Sequence, residues 1–167
     1  DAFISPHVEQ RDLIFTNTSD LFSQNNEKYD FSLYGQNYVG ITQQAKMMGI
    51  VFEKIISGEF SGHFVWADDS CVAFATIEPT SPGHVLVVPR DPVPSWTQLD
   101  AQVCTHLMEV AQIIGRAQER AFGVERSGLV IAGFEVPHTH LHVIPLRTES
   151  DVLLSNAAPA SSEELDA

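Results

Sequence analysis

This sequence predicts an α+β domain: an antiparallel sheet of about five strands with one short and one long helix. Three observations carry that expectation. Between residues 63 and 77, two apolar runs flank the turn-forming Asp68-Asp69-Ser70, which is a hairpin signal. From Leu99 to Ala121, apolar side chains recur along one stripe at helical spacing. Residues 137–145, Pro-His-Thr-His-Leu-His-Val-Ile-Pro, alternate with period two, as a half-buried strand does.

The elements follow in order. Residues 49–58 read as a short helix, because Val51, Phe52, Ile55 and Ile56 fall at helical spacing and Gly58 stops the run. The hairpin comes next, with strands at 63–67 and 71–77, the second strongly apolar. Two prolines and a glycine within residues 78–83 forbid regular structure. Residues 84–90 form a third strand, whose unbroken apolar character marks it as buried on both faces. Residues 95–98 offer a helix start. The long helix carries Leu99, Val103, Leu107, Val110, Ile114 and Ala117 on its stripe and ends at Gly123. His106, on this helix, is expected at a surface or interface. Residues 128–132 form a strand that leads through 133–137 into the histidine-bearing strand. Beyond Pro145 the chain runs into small residues, and Ser161-Ser162-Glu163-Glu164-Leu165 has the character of a capped helix start cut short.

Residues 1–46 are rich in Asn, Gln, Ser, Asp and Tyr without clean periodicity, and are expected to lie on the surface or to exchange with a neighbour. The chain thus divides into an N-terminal extension (1–46), one domain (47–152) and a C-terminal tail (153–167).

Charge narrows the partners. With 22 acidic against 9 basic residues the formal net charge is −13, which argues against nucleic acid or an anionic membrane as the main partner. A small anionic ligand would have to be held by local dipoles and histidines. The two cysteines, Cys71 and Cys104, lack framework spacing and suit a reducing compartment. No apolar run approaches transmembrane length and no signal-peptide pattern opens the chain, so the cytoplasm is the expected location.

In a strand, residues i, i+2 and i+4 share a face, so His138, His140 and His142 project one way while Thr139, Leu141 and Val143 face the core. Three readings of this row compete. It is a polar strand face that happens to be histidine-rich; it is part of a metal site, although a closed site needs further ligands and no Cys-x-x-Cys pair is present; or it is a covalent centre, in which one imidazole attacks phosphorus while its neighbours fix tautomers and stabilise charge.

His138-Thr139-His140-Leu141-His142-Val143-Ile144 resembles the His-φ-His-φ-His-φ-φ signature of the histidine triad family of nucleotide hydrolases and transferases, φ being apolar. A second block, with Ile55-Ile56-Ser57-Gly58-Glu59, Asp68-Asp69, Ala73-Phe74 and residues 79–89, is similar to the family's sequence before its triad, in the same order. The resemblance covers about residues 49–150. It implies the family's fold and, through the long helix and the sheet edge, a homodimer. It also implies hydrolysis of nucleoside phosphoramidates or dinucleoside polyphosphates, or related nucleotidyl transfer, on a purine, AMP-like nucleotide.

By the same resemblance His140 is the nucleophile that forms a nucleotidyl-imidazole intermediate, His142 bonds the phosphate, His138 orients the site and His84 lies close by. Val51, Phe52, Ile55, Phe74 and Ile77 wall the base. A turn at residues 133–136, which includes Gly133 and Glu135, holds the phosphate through backbone N–H groups.

The chain departs from the family pattern at several positions, among them the segment before the triad, which is shorter than usual, and residues 91–96, which lack a histidine common in relatives. Thr76 stands where many members carry an acidic residue for the ribose. Glu135 stands near where a small hydroxyl or amide side chain meets phosphate. The cysteines with which some bacterial members bind metal are absent, so no structural zinc and no cofactor is expected. Thr76 and Glu135 are also the main support for the alternative function, a non-catalytic nucleotide- or partner-binding protein of the same fold; a metal-binding module is the third.

Overall fold

The computed structural model describes residues 50–166. The extension expected at 1–46 lies outside the described residues. Five strands, β1 (Phe64–Ala67), β2 (Cys71–Ala75), β3 (Val85–Pro89), β4 (Arg126–Val130) and β5 (Leu141–Leu146), form one antiparallel sheet in the order β1-β2-β3-β5-β4. Among the described residues three α-helices accompany it: α1 (Val51–Ile56), α2 (Ala101–Phe122) and α3 (Ser162–Asp166).

Period-two alternation sorts the strand residues between the two faces. On one face Ala73, Val85, Val87, Leu141 and Val143 pack under α2, against Leu107 and Ile114. On the other, Val72, Phe74, Leu86 and Val88 pack with Val51, Phe52 and Ile55 of α1. Each such aliphatic or aromatic side chain taken from water contributes roughly 1.5–3 kcal/mol before entropy is counted. Both faces are therefore covered, and β3 is buried along its whole length, as its composition requires.

Helix α2 spans 22 residues, about 33 Å. Asp100 caps its start by accepting from the Gln102 N–H, and Gly123 closes it in the left-handed conformation (φ 60°). Residues 95–98, expected as the helix start, instead form a separate 3-10 turn at Trp96–Gln98 capped by Ser95.

Four other sequence boundaries shift. β2 ends at Ala75, so Thr76 and Ile77 lie in the following turn, where the Thr76 hydroxyl accepts from the Glu78 N–H. β4 begins at Arg126 rather than at 128 and ends at Val130. The histidine strand, expected from 138, begins at Leu141, so only His142 of the three lies within the sheet ladder. Its half-buried reading is also corrected: β5 is central, flanked by β3 and β4 and packed on both faces, and only Leu141–Leu146's end residue and His142 are partly exposed. His138 and Thr139 are held by different bonds. The Thr139 N–H and hydroxyl both donate to the Val93 carbonyl, each at 2.8 Å.

The tail does not simply end. After 3-10 turns at Glu149–Val152 and Leu154–Asn156 it doubles back along the β2–β3 connection, where the Ala158 N–H donates to the Pro79 carbonyl and the Ala160 N–H to the Ile77 carbonyl. Helix α3 then places Asp166 Oδ1 3.0 Å from His63 Nδ1. No helix among the described residues is long and apolar enough to cross a membrane.

Candidate active site

His84, His140 and His142 meet on the α1 face of the sheet. His84 immediately precedes β3, and because β5 pairs with β3 antiparallel, with Leu86 opposite His142, the ring of His84 arrives beside that of His142. Their nitrogens, His84 Nε2 and His142 Nδ1, are 2.9 Å apart. The His140 and His142 rings stack edge-to-face at 4.8 Å, and Phe52 closes over His140 at 4.9 Å.

Backbone partners fix the tautomers. The Thr80 N–H donates to His84 Nδ1 at 3.1 Å, so a neutral His84 carries its proton on Nε2 and donates it to His142. His142, accepting at Nδ1, keeps its own proton on Nε2. His140 Nδ1 lies 2.7 Å from the His138 carbonyl, an acceptor, so this nitrogen bears the proton and the lone pair is on Nε2. His138 likewise donates from Nε2 to the Pro89 carbonyl at 2.7 Å.

Burial keeps the outer pair neutral. Desolvation, aided by the His140 ring, lowers His84 to about 4, and desolvation with the His140 and His84 rings lowers His142 to about 3. Desolvation also lowers His138, against the Pro89 carbonyl bond that raises it.

A cavity of about 300 Å³ opens beside these rings, at the lower end of the ~300–1,000 Å³ typical of small-molecule sites. His84, His140 and His142 line its floor. Val51, Phe52, Ile55, Phe74 and Leu86 form an apolar wall, with the Phe52 and Phe74 rings edge-to-face at 5.8 Å. Thr76, Ile77, Gly133 and Glu135 border it as well. Every site residue expected from the sequence except His138 thus reaches one cavity. His138 is fully buried behind Phe52, its ring 5.6 Å away, and touches the site through its carbonyl rather than its ring. That corrects the expectation of three imidazoles presented alike: the chain has not yet entered the ladder at 138, and Pro89 takes the ring.

The structure adds wall residues that the sequence did not single out. His63 and Glu78 contribute from the hairpin side, Phe134 from the turn before the triad, and Leu154 and Ala157 from the tail. The tail residues carry no sequence signal, because their place depends on the chain's return path. Among the described residues one trio has metal-ligand chemistry, Asp68, Cys71 and His106, and it sits apart from the cavity. These groups already bond one another: Asp68 accepts from Trp66 Nε1 and His106 Nε2, each at 2.7 Å, and from the Ser70 and Cys71 amides. His106 is thereby a half-buried tie from α2 to the hairpin turn rather than a plain surface residue.

The sequence profile described as the HIT domain matches residues 57–149, more than half of the chain. The chain belongs to the HIT family. An uncharacterised HIT-like protein of Methanocaldococcus jannaschii is 32% identical over 121 residues, covering 70% of this chain and 92% of that protein. An adenylylsulfatase of Arabidopsis thaliana is 29% identical over 121 residues, 70% of this chain and 61% of its own length. A zinc-bound histidine triad protein of Mycobacterium smegmatis superposes with a TM-score of 0.61 at 26% identity, covering 72% of this chain and 89% of the other. The α+β fold with its five-stranded antiparallel sheet is that of these HIT proteins.

Proposed function

We propose that this HIT protein is a nucleotide hydrolase or nucleotidyl transferase that acts on the α-phosphate of a nucleoside phosphoramidate or dinucleoside polyphosphate through a covalent nucleotidyl intermediate on His140. The observation that carries the reading is the 2.7 Å bond from His140 Nδ1–H to the His138 carbonyl, which leaves the Nε2 lone pair on a ring that lines the cavity. The adenylylsulfatase activity of one relative belongs to that relative, and supports the reading as chemistry at a nucleotide α-phosphate.

In the first step the Nε2 lone pair bonds to phosphorus and the bond to the leaving group breaks, its electron pair leaving with that group, which takes a proton at the open mouth of the cavity. The imidazole is then cationic, and the His138 carbonyl on Nδ1–H stabilises it. The His142 Nε2–H is the donor for a phosphoryl oxygen, and the backbone around Gly133 adds others. Water next attacks phosphorus, the P–N bond returns its pair to His140, and the nucleoside monophosphate departs. Phe52, Phe74 and Ile77 bracket the purine of an AMP-like nucleotide, while the Thr76 hydroxyl meets the ribose. Imidazoles supply both nucleophile and donor, so the route calls for no cofactor.

A homodimer joined along α2 and the edge strand β4 is part of this reading, supported by Leu129, exposed on that edge. Cytoplasmic location is too, supported by the two free cysteines. The second reading, a non-catalytic nucleotide-binding protein, is favoured by the carboxylate of Glu135 on the cavity border and by Thr76, whose hydroxyl is already engaged with the Glu78 N–H.

Mass spectrometry of protein quenched during turnover of adenosine 5′-phosphoramidate separates them. An AMP-sized adduct on His140 is expected, with turnover falling on the order of 10³-fold or more in His140→Gly while AMP binding persists. Binding without adduct or turnover in the parent protein would leave the second reading.

A further inference from the structure

The turn between β1 and β2 meets α2 through Asp68 in the turn, Cys71 at the start of β2 and His106 on the helix. Their ligand atoms all lie within 4.8 Å of one another. His106 Nε2 is 2.7 Å from Asp68 Oδ2, and Cys71 Sγ is 3.7 Å from the same oxygen. Metal–ligand bonds of about 2.0–2.3 Å at tetrahedral angles put ligand atoms roughly 3.3–3.6 Å apart. Small side-chain rotations reach that spacing.

Further groups orient the trio from behind. Trp66 Nε1 donates to Asp68 Oδ2 at 2.7 Å, and the Ser70 and Cys71 amides donate to Oδ1, each at 2.8 Å. Burial opposes the carboxylate charge, but the bonds from Trp66, His106 and the two amides outweigh it and hold the carboxyl below its ordinary value. On α2, Glu109 Oε2 lies 3.9 Å from His106 Nδ1. A carboxylate on that side favours a proton on Nδ1 and a lone pair on Nε2, as behind the ligand nitrogen of metal-bound histidines.

Cys71 is fully buried and closes the cluster from the protein side, while the side chains of Asp68 and His106 are 25% and 35% exposed and give access from solvent. Burial and then the Asp68 carboxylate push the Cys71 thiol above its ordinary value, and the Arg90 guanidinium works against them. A bound dication reverses that balance, because a coordinating thiol loses its proton outright.

We infer that Asp68 Oδ2, His106 Nε2 and Cys71 Sγ form a site for one divalent cation of the zinc class, with water as the fourth ligand. The inference does not rest on the hydrolase reading. A carboxylate, an imidazole and a thiolate together suit a borderline ion, whereas calcium and magnesium take oxygen ligands. On binding, the Cys71 S–H bond breaks, an S–metal bond forms and the proton passes to solvent; His106 binds through Nε2 and keeps its proton on Nδ1. The net charge of −13 raises the local concentration of cations. The expectation of no structural zinc rested on a missing set of cysteines. Here the ligands come from a turn, a strand and a helix, with Asp68 and His106 38 positions apart, a separation that no sequence motif spans.

The test uses the full chain, stripped with a chelator and titrated with Zn²⁺ and with Co²⁺. One equivalent of Zn²⁺ is expected to bind with proton release, read by calorimetry in two buffers of different ionisation enthalpy. Co²⁺ should give a near-ultraviolet thiolate-to-cobalt band and the visible bands of a tetrahedral ion. Cys71→Ser should abolish the thiolate band. His106→Asn should weaken Zn²⁺ binding about 100-fold or more, and Glu109→Gln about tenfold. His106 is half-buried on α2, so its variant tests the site even where Cys71→Ser does not fold. Saturating Zn²⁺ should raise the melting temperature of the parent and not of His106→Asn. A Co²⁺ complex without a thiolate band, or a band that survives in Cys71→Ser, would overturn the inference. So would a Zn²⁺ affinity that His106→Asn leaves unchanged. Binding lost in His140→Gly but kept in His106→Asn would overturn it as well, by placing the ion on the histidine row.

Discussion

His84 Nε2 donates to His142 Nδ1 across 2.9 Å, and the direction of that bond is set outside the pair, by the Thr80 N–H on His84 Nδ1. A backbone amide cannot reverse its role, so the whole chain of tautomers from residue 80 to the cavity is fixed without any charge. Protonation of either ring breaks it.

This arrangement sets the pH behaviour. His84 is lowered to about 4 and His142 to about 3, both chiefly by burial. The first proton to enter the coupled pair therefore does so near pH 4 rather than near ~6.5, and loss of the His84–His142 bond is expected there. Stability follows with a definite sign. Between about 4 and ~6.5 the unfolded chain binds protons at these positions and the native state does not, so stability falls as pH drops through that window and is level above it. Thermal melts from pH 7 to 4 check this; His142→Asn should flatten the slope.

Gly83 adopts φ +90°, and a Cβ there would meet the Phe122 ring at 2.3 Å. Gly83→Ala should cost about 2–3 kcal/mol, from a left-handed backbone and an overpacked contact together. Gly123, at φ +60° with nothing within 4 Å of such a Cβ, is the control. Gly123→Ala should cost only ~1 kcal/mol. Urea denaturation of the two variants gives the comparison, and equal losses would deny the role of Phe122.

Gln118 is fully buried on α2 and its Nε2 donates to the carbonyls of Gly83 and Val143, each at 2.8 Å, while Ser127 Oγ donates to its Oε1. One side chain thereby ties the residues next to His84 and His142 to the long helix. Gln118→Leu keeps the volume but strands those carbonyls, and a loss of about 2–4 kcal/mol is expected in denaturant titration. A shift below ~0.5 kcal/mol would mean that water replaces the amide.

Leu154 and Ala157 reach the cavity only because the tail returns along residues 77–80. Truncation after Val152 should raise KM for the nucleotide about tenfold and leave kcat within about twofold, since no reacting group is removed. Steady-state kinetics on the truncated chain decides it; an unchanged KM would show the tail to be a cover without a binding role.

Much of the architecture is legible in the sequence. Apolar alternation placed β1, β2 and β3 to within a residue or two, and the stripe from Val103 to Ala117 placed α2. These signals are local: period and turn chemistry act over a few residues and survive in any tertiary setting. The errors fell where local preference met tertiary demand. Ser95 caps a 3-10 turn because Asp100 is the cap of α2, and the histidine strand starts late because Val93 and Pro89 take the backbone of Thr139 and the ring of His138.

By itself, then, the order of residues determined which side chains alternate at 138, 140 and 142, that an apolar helix precedes a hairpin, and that chemistry would gather at the histidines. Only the tertiary structure decided that β5 enters between β3 and β4, which brings His84 to His142 across 58 positions, withdraws the ring of His138 and sets Phe134 at the mouth. The physical reason is that alternation encodes a face but not a neighbour. Partners distant in sequence are chosen by burial of both sheet faces at once, and no short window of residues contains that sum.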